Sequence, residues 1–167
     1  MTRTVPLQEF NALPTDEARA RAAACLDVPR WVEAVVGGRP YADRADVLAL
    51  AAREGGHLDD DELDAALARH PRIGERAQVG RHDSAHSAHE QAGVDRDDRD
   101  VADRLVEGNR AYEQRFDRVF LIRAAGRDGG EILAELERRL GNDDETERAE
   151  TVDQLRQIAL LRLEQVV

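Results

Sequence analysis

Lysine is missing from this chain: all 24 of its basic residues are arginine. With no side-chain amine to form an imine, Schiff-base chemistry is excluded in one step. Cysteine is nearly missing too. The single Cys25 allows neither an internal disulfide nor a thiolate zinc cluster, and a free cysteine in a helix is expected to be a small buried apolar residue. Aromatics are only 4% of the residues while hydrophobics are 41%, so Ala, Leu, Val and Ile must build the interior. Ala and Leu, with the abundant Glu and Arg, favour helices. No apolar run approaches the ~20 residues needed to cross a bilayer. The start, Met1-Thr2-Arg3-Thr4-Val5-Pro6, lacks the apolar stretch of a signal peptide, which predicts a soluble, cytoplasmic protein. A net charge of −11 leaves no basic footprint for nucleic acid or an anionic membrane. Neither is an expected partner.

The length of 167 residues suits one domain spanning 1–167. Its pattern predicts an all-α, single-domain helical bundle of about eight helices. A short amphipathic turn over Leu7–Leu13 is stopped by Pro14, and Thr15-Asp16-Glu17 then supplies an N-cap and first-turn acids for a helix through Leu26. Pro29 opens a helix over Arg30–Val36 that Gly37-Gly38 ends. Asp43 caps Arg44–Glu54, and Asp59-Asp60-Asp61 opens a helix that ends near Arg69, before Pro71. The polar stretch Arg72–Asp83 reads as loop, and Ser84–Ala92 as a short helix. The longest helix is expected at Asp97–Phe116, with Val101, Leu105, Tyr112 and Phe116 on one stripe. Val119–Ile122 is apolar but has no partner run, and a lone strand is unstable, so a buried turn or extended piece between helices is predicted. Helices over Glu131–Leu140 and Glu145–Val166 close the chain.

Five histidines are present: His57, His70, His82, His86 and His89. The last three are spaced to share one helical face, beside Glu90. That pattern suggests a metal-dependent hydrolase, but His82 lies in predicted loop and no second ligand cluster stands nearby to complete a shell. No bound metal is expected. His70 differs, because it sits at a helix end and Pro71 pushes it toward an extended conformation. The partial negative charge of the helix C-terminus favours the protonated imidazole, which suits proton transfer. Taken alone, the dipeptide also serves as a simple helix stop. Ser87, Glu90 and Gln91 share one helical face and can hold a small polar heterocycle; the plain alternative is an ordinary polar face. Phe120-Leu121-Ile122-Arg123-Ala124 is apolar and non-helical, so its backbone groups need partners. Arg162, between Leu161 and Leu163, calls for a planar acceptor.

Together these residues carry a resemblance. His70-Pro71-Arg72-Ile73-Gly74, Ser87-Ala88-His89-Glu90-Gln91-Ala92-Gly93, Asn109-x-x-Tyr112-x-x-x-Phe116, Phe120–Ala124 and Leu161-Arg162-Leu163 stand in register with the 2-oxo-4-hydroxy-4-carboxy-5-ureidoimidazoline (OHCU) decarboxylase family. The resemblance begins at Phe10-Asn11-Ala12-Leu13-Pro14 and reaches the last helix. It implies an all-helical enzyme of urate degradation that needs no cofactor and converts OHCU to S-allantoin with loss of CO2. His70 would be the catalytic acid/base and Glu90 would assist proton transfer. Pro71, Ser87, Ala88, His89, Gln91, the Phe120–Ala124 stretch and Arg162 would contact the substrate. A homodimer is also implied, for which Leu160, Leu163 and Val166 are candidate contacts if they are not core. One departure stands out: Phe116-Asp117-Arg118-Val119-Phe120 replaces a Phe-Gly-Phe-Pro-Phe run, and Arg123 falls where small or apolar residues are common. A non-catalytic helical ureide-binding module is the remaining alternative.

Overall fold

A computed structural model describes residues 7–73, 90 and 99–167 of the chain. The regular elements bounded among them are eight helices: α1 Leu7–Ala12, α2 Thr15–Cys25, α3 Pro29–Gly37, α4 Arg44–Gly55, α5 Asp60–Leu67, α6 Arg99–Phe116, α7 Gly129–Arg139 and α8 Asp144–Glu164. The all-α expectation holds. The chain divides into two compact units, one formed by residues up to Ala66 together with Leu155–Val167, the other by Leu67–Gln154.

In the first unit α2 packs on α3 and α3 on α4. Phe10, Cys25, Trp31, Val35, Val47 and Leu163 are completely buried there, so Cys25 has the apolar role predicted for it and Leu163 belongs to the core. Local signals set most of the helix ends. The Asp43 carboxylate accepts from the Asp46 N–H at 3.0 Å. Asp59 and Glu62 form a reciprocal cap, with Asp59 Oδ1 accepting from the Glu62 N–H at 2.8 Å and Glu62 Oε1 from the Asp59 N–H at 3.1 Å. Thr15 departs from expectation. It is the first helical residue and Pro14 occupies the cap position without a side-chain bond, because the proline ring already fixes the φ that the entry needs.

The second unit is organised by α6 against α7. Gly108 permits that approach: a Cβ there would lie 2.6 Å from a methyl carbon of the buried Leu136. The apolar cluster of this unit joins Leu105, Tyr112 and Phe116 of α6 with Ile132, Leu133 and Leu136 of α7. The longest of the eight helices is α8, at 21 residues, rather than α6 with 18.

Asp117 ends α6 in the left-handed region, at φ 55°, and its N–H donates to the Glu113 carbonyl at 2.9 Å. This is a helix C-terminus of the type that usually takes glycine, at the position where the resembled family carries one. A short polar residue tolerates this conformation better than most. Asp117→Gly is expected to raise stability by up to about 1 kcal/mol, a thermal midpoint shift of roughly 2–4 °C. A melting curve unchanged or lowered would show that the aspartate is not strained.

Candidate active site

His70 follows the end of α5 and is 7% exposed. Its N–H donates to the Leu67 carbonyl at 3.0 Å, so its own backbone satisfies one acceptor at the helix end. Pro71, also buried, keeps the following chain out of the helix. Two side chains of α6, one turn apart, hold what comes next. Glu113 grips Arg72 at two points, Nε to Oε1 at 2.6 Å and Nη2 to Oε2 at 3.3 Å. Asn109 Nδ2 donates to the Ile73 carbonyl at 3.4 Å. The backbone at His70 is thereby held to Leu67 and, through Arg72 and Ile73, to the flank of α6. Asn109 itself is 5% exposed, and its Oδ1 is buried with no hydrogen-bond partner among the described residues. Leaving such an acceptor unmade costs about 1–3 kcal/mol, which a donor on a ligand would offset.

Glu90 is helical and partly buried. Its expected companions Ser87, Ala88, His89 and Gln91 lie outside the described residues, as do His82 and His86 of the histidine cluster. Among the described residues no three His, Cys, Asp or Glu side chains gather to hold a metal.

Phe120–Ala124 is neither helix nor strand, and Phe120, Leu121, Ile122 and Ala124 are all buried. It is the buried, non-helical piece between helices that the sequence predicts. Phe120, Ile122 and Ala124 join the same apolar cluster as Ile73, so the His70 loop and this segment share one core. With no ladder to pair with, the backbone relies on side chains: Arg139 Nη1 donates to the Leu121 carbonyl at 2.7 Å, and Gln154 Oε1 accepts from the Arg123 N–H at 2.9 Å. The Nε of Arg123 is buried without a hydrogen-bond partner among the described residues.

Arg139 belongs to a polar network that the sequence reading missed. Arg139 is 1% exposed and Glu147 is fully buried. Glu147 Oε1 accepts from Arg139 Nε at 2.8 Å and from the Tyr112 hydroxyl at 2.6 Å, and its Oε2 accepts from Asn142 Nδ2 at 3.0 Å. The Arg139 guanidinium also lies 4.7 Å from the centre of the Phe120 ring. Burial and the Glu147 carboxylate push the Tyr112 phenol up to about 12, so it remains a donor across the neutral range. The overlooked signal was positional. Arg139 continues the apolar stripe Ile132, Leu133, Leu136 along α7 at helical spacing, where a charge makes sense only with a buried partner.

Arg162 is 1% exposed. It belongs to the first unit, where its Nη1 donates to the Ala24 carbonyl at 3.4 Å.

A family profile described as OHCU decarboxylase matches residues 11–164. The OHCU decarboxylase of Amia calva is 31% identical over 141 residues, covering 83% of this chain and 81% of that protein. The uric acid degradation bifunctional protein of Bacillus sp. (strain TB-90) is 22% identical over 161 residues; the match takes in 96% of this chain but only 32% of that longer protein. Among solved structures, that of an OHCU decarboxylase in the presence of (S)-allantoin superposes with a TM-score of 0.66 at 18% identity, covering 84% of this chain and 92% of that one. A likeness at that identity establishes the fold.

Proposed function

The chain belongs to the OHCU decarboxylase family and is a decarboxylase of urate degradation that forms allantoin; we propose that it works without a cofactor, with His70 and Glu90 sharing the proton transfers, and releases the S enantiomer. The observation that carries this reading is the buried His70, its backbone held to Leu67 and the chain that follows it held through Arg72 and Ile73 to α6.

Decarboxylation requires an electron sink, and the substrate contains one. Its carboxylate sits on the ring carbon next to a C=N bond. When the carbon–carboxylate bond breaks, CO2 departs and the electron pair forms a ring C=C bond, while the C=N electrons move to nitrogen, which takes a proton. The ring carbon bearing the ureido group then takes a second proton as the neighbouring hydroxyl loses one and becomes a carbonyl. Counting one proton drawn from solution, OHCU gives allantoin and CO2. The protein has to orient the carboxylate, polarise the hydroxyl and imine, and deliver the last proton to one face. His70 and Glu90 are suited to the transfers. The buried Arg123 Nε, a donor, and Asn109 Oδ1, an acceptor, complement a substrate carrying both a carboxylate and ureido N–H groups. Pro71, Ser87, Ala88, His89, Gln91 and Phe120–Ala124 complete the proposed binding surface, with Arg162 holding the carboxylate.

Homodimerisation belongs to the same proposal on the strength of the family resemblance, as does the cytoplasmic location that the sequence predicts. Among the described residues, no helix is long and apolar enough to cross a membrane. The test is direct. Protein stripped of metal by chelation is mixed with freshly generated OHCU, and optical activity is followed. Accelerated formation of optically active allantoin is expected; turnover that appears only when metal is restored, or ligand binding without turnover, would overturn the proposal.

A further inference from the structure

We infer that Arg139 is a positioning residue for the decarboxylation, and that the buried Tyr112–Glu147–Arg139 network exists to hold the Phe120–Ala124 segment in the shape that receives the substrate. The inference rests on the function proposed above, and reaches residues to which that proposal gives no role.

The segment has no secondary structure to fix it, yet it is clamped at three successive places. Phe120 lies under the Arg139 guanidinium on one side and against the edge of the Tyr112 ring on the other, with ring centroids 5.2 Å apart. The Leu121 carbonyl accepts from Arg139 Nη1, and the Arg123 N–H is held by Gln154. One guanidinium thus grips a ring and a carbonyl in adjacent residues. It can aim its donors so only because it is oriented from behind: Glu147 takes Nε and Nη2, and the Thr151 hydroxyl lies 3.3 Å from Nη2. Glu147 in turn is oriented by Tyr112 and Asn142. Tyr112 stands on α6 one turn from Asn109, which holds the Ile73 carbonyl beyond His70. The same helix therefore registers the His70 loop and, through the network, the binding segment.

Stability does not require this arrangement. A buried ion pair loses much of its attraction to desolvation, and apolar residues of similar volume commonly replace one without loss of stability. What apolar residues cannot supply is a donor to the Leu121 carbonyl in a fixed direction.

The experiment follows from that difference. In the triple variant Tyr112→Phe/Arg139→Met/Glu147→Leu the charges and their partners are removed together. Its melting temperature is expected to fall only by what the lost donor to the Leu121 carbonyl costs, less than in Glu147→Leu alone, while kcat/KM falls about 10–100-fold, since displacement of a binding group by about 1 Å is enough for such a loss. Hydrogen exchange, read by mass spectrometry on a peptide spanning residues 120–124, should quicken at least 10-fold, with α6 and α7 unchanged. A folded triple variant retaining kcat/KM within about twofold overturns the inference. Should the triple variant not fold, Arg139→Lys decides. It keeps the charge beside Glu147 but loses the planar fork, and an unchanged kcat/KM would overturn the inference while a loss of about 10-fold supports it. If the unaltered enzyme does not turn over OHCU, it is the proposed function that fails. The exchange measurement still tests the clamp: unchanged exchange at residues 120–124 overturns it.

Discussion

Replacing His70 with asparagine is expected to lower kcat by about 10²–10⁴-fold, the range that a well-placed proton-transfer group contributes, with KM changed only a few-fold. The scaffold should survive the change. Three bonds that hold the backbone here run from the His70 N–H to the Leu67 carbonyl, from Arg72 to Glu113 and from Asn109 to the Ile73 carbonyl. None of them uses the imidazole. A circular dichroism spectrum and melting curve matching the unaltered protein would establish that the loss is chemical. The product gives a second readout. Water protonates both faces of the decarboxylated ring, so allantoin formed without His70 should lose optical purity if His70 delivers the final proton, and keep it if Glu90 does. Either result divides the two roles. Full kcat in the variant would remove His70 from the reaction and leave His70-Pro71 as a helix stop.

Why His70 was legible in the sequence, and Arg139 was not, comes down to the range of the signals. A proline after a helical pattern, an aspartate before one and a glycine pair behind one each act within a turn, and they place α3, α4, α5 and α7 within two or three residues of the observed ends. The same local logic marks Phe120–Ala124 as buried and non-helical, since an apolar run with no second run to pair with cannot form a sheet. Even Asp117 was flagged as a position where a glycine was missing. What occupies the donors and acceptors of such a segment, however, is a question of tertiary contact. Arg139 and Glu147 are separated from Leu121 by 18 and 26 positions, and in composition they are two charges among many on an acidic, arginine-rich chain. The place of Arg139 on the apolar stripe of α7 marks it for burial, but only the three-dimensional arrangement shows that Glu147 is its partner and that the pair holds Leu121. Arg162 illustrates the reverse case. Its apolar neighbours correctly announced burial, but a partner such as the Ala24 carbonyl, 138 residues away in sequence, has no signature that a pattern could reveal.

Glu147→Leu alone is expected to be the most destabilising single change in the second unit. It removes the carboxylate but leaves the Arg139 guanidinium, 1% exposed, with Glu150 Oε2 at 3.8 Å as its remaining counter-charge among the described residues, and leaves the Tyr112 hydroxyl with Thr151 alone. Breaking one side of a buried pair costs about 3–5 kcal/mol, because the remaining charge keeps its desolvation penalty and loses its compensation. For a chain of this size that corresponds to a fall of roughly 6–20 °C in melting temperature. Adding Arg139→Met and Tyr112→Phe should recover most of the loss, since no stranded polar side chain then remains. The comparison separates two contributions that a single variant confounds. If Glu147→Leu melts within about 2 °C of the unaltered protein, less than 1 kcal/mol, then water or a rearranged Glu150 neutralises Arg139 and the pair is not isolated from solvent. If the triple variant is as unstable as the single one, the network carries the stability of the unit directly. Recovery of the melting temperature without recovery of activity is the pattern expected of charges that are kept for the shape of the binding segment.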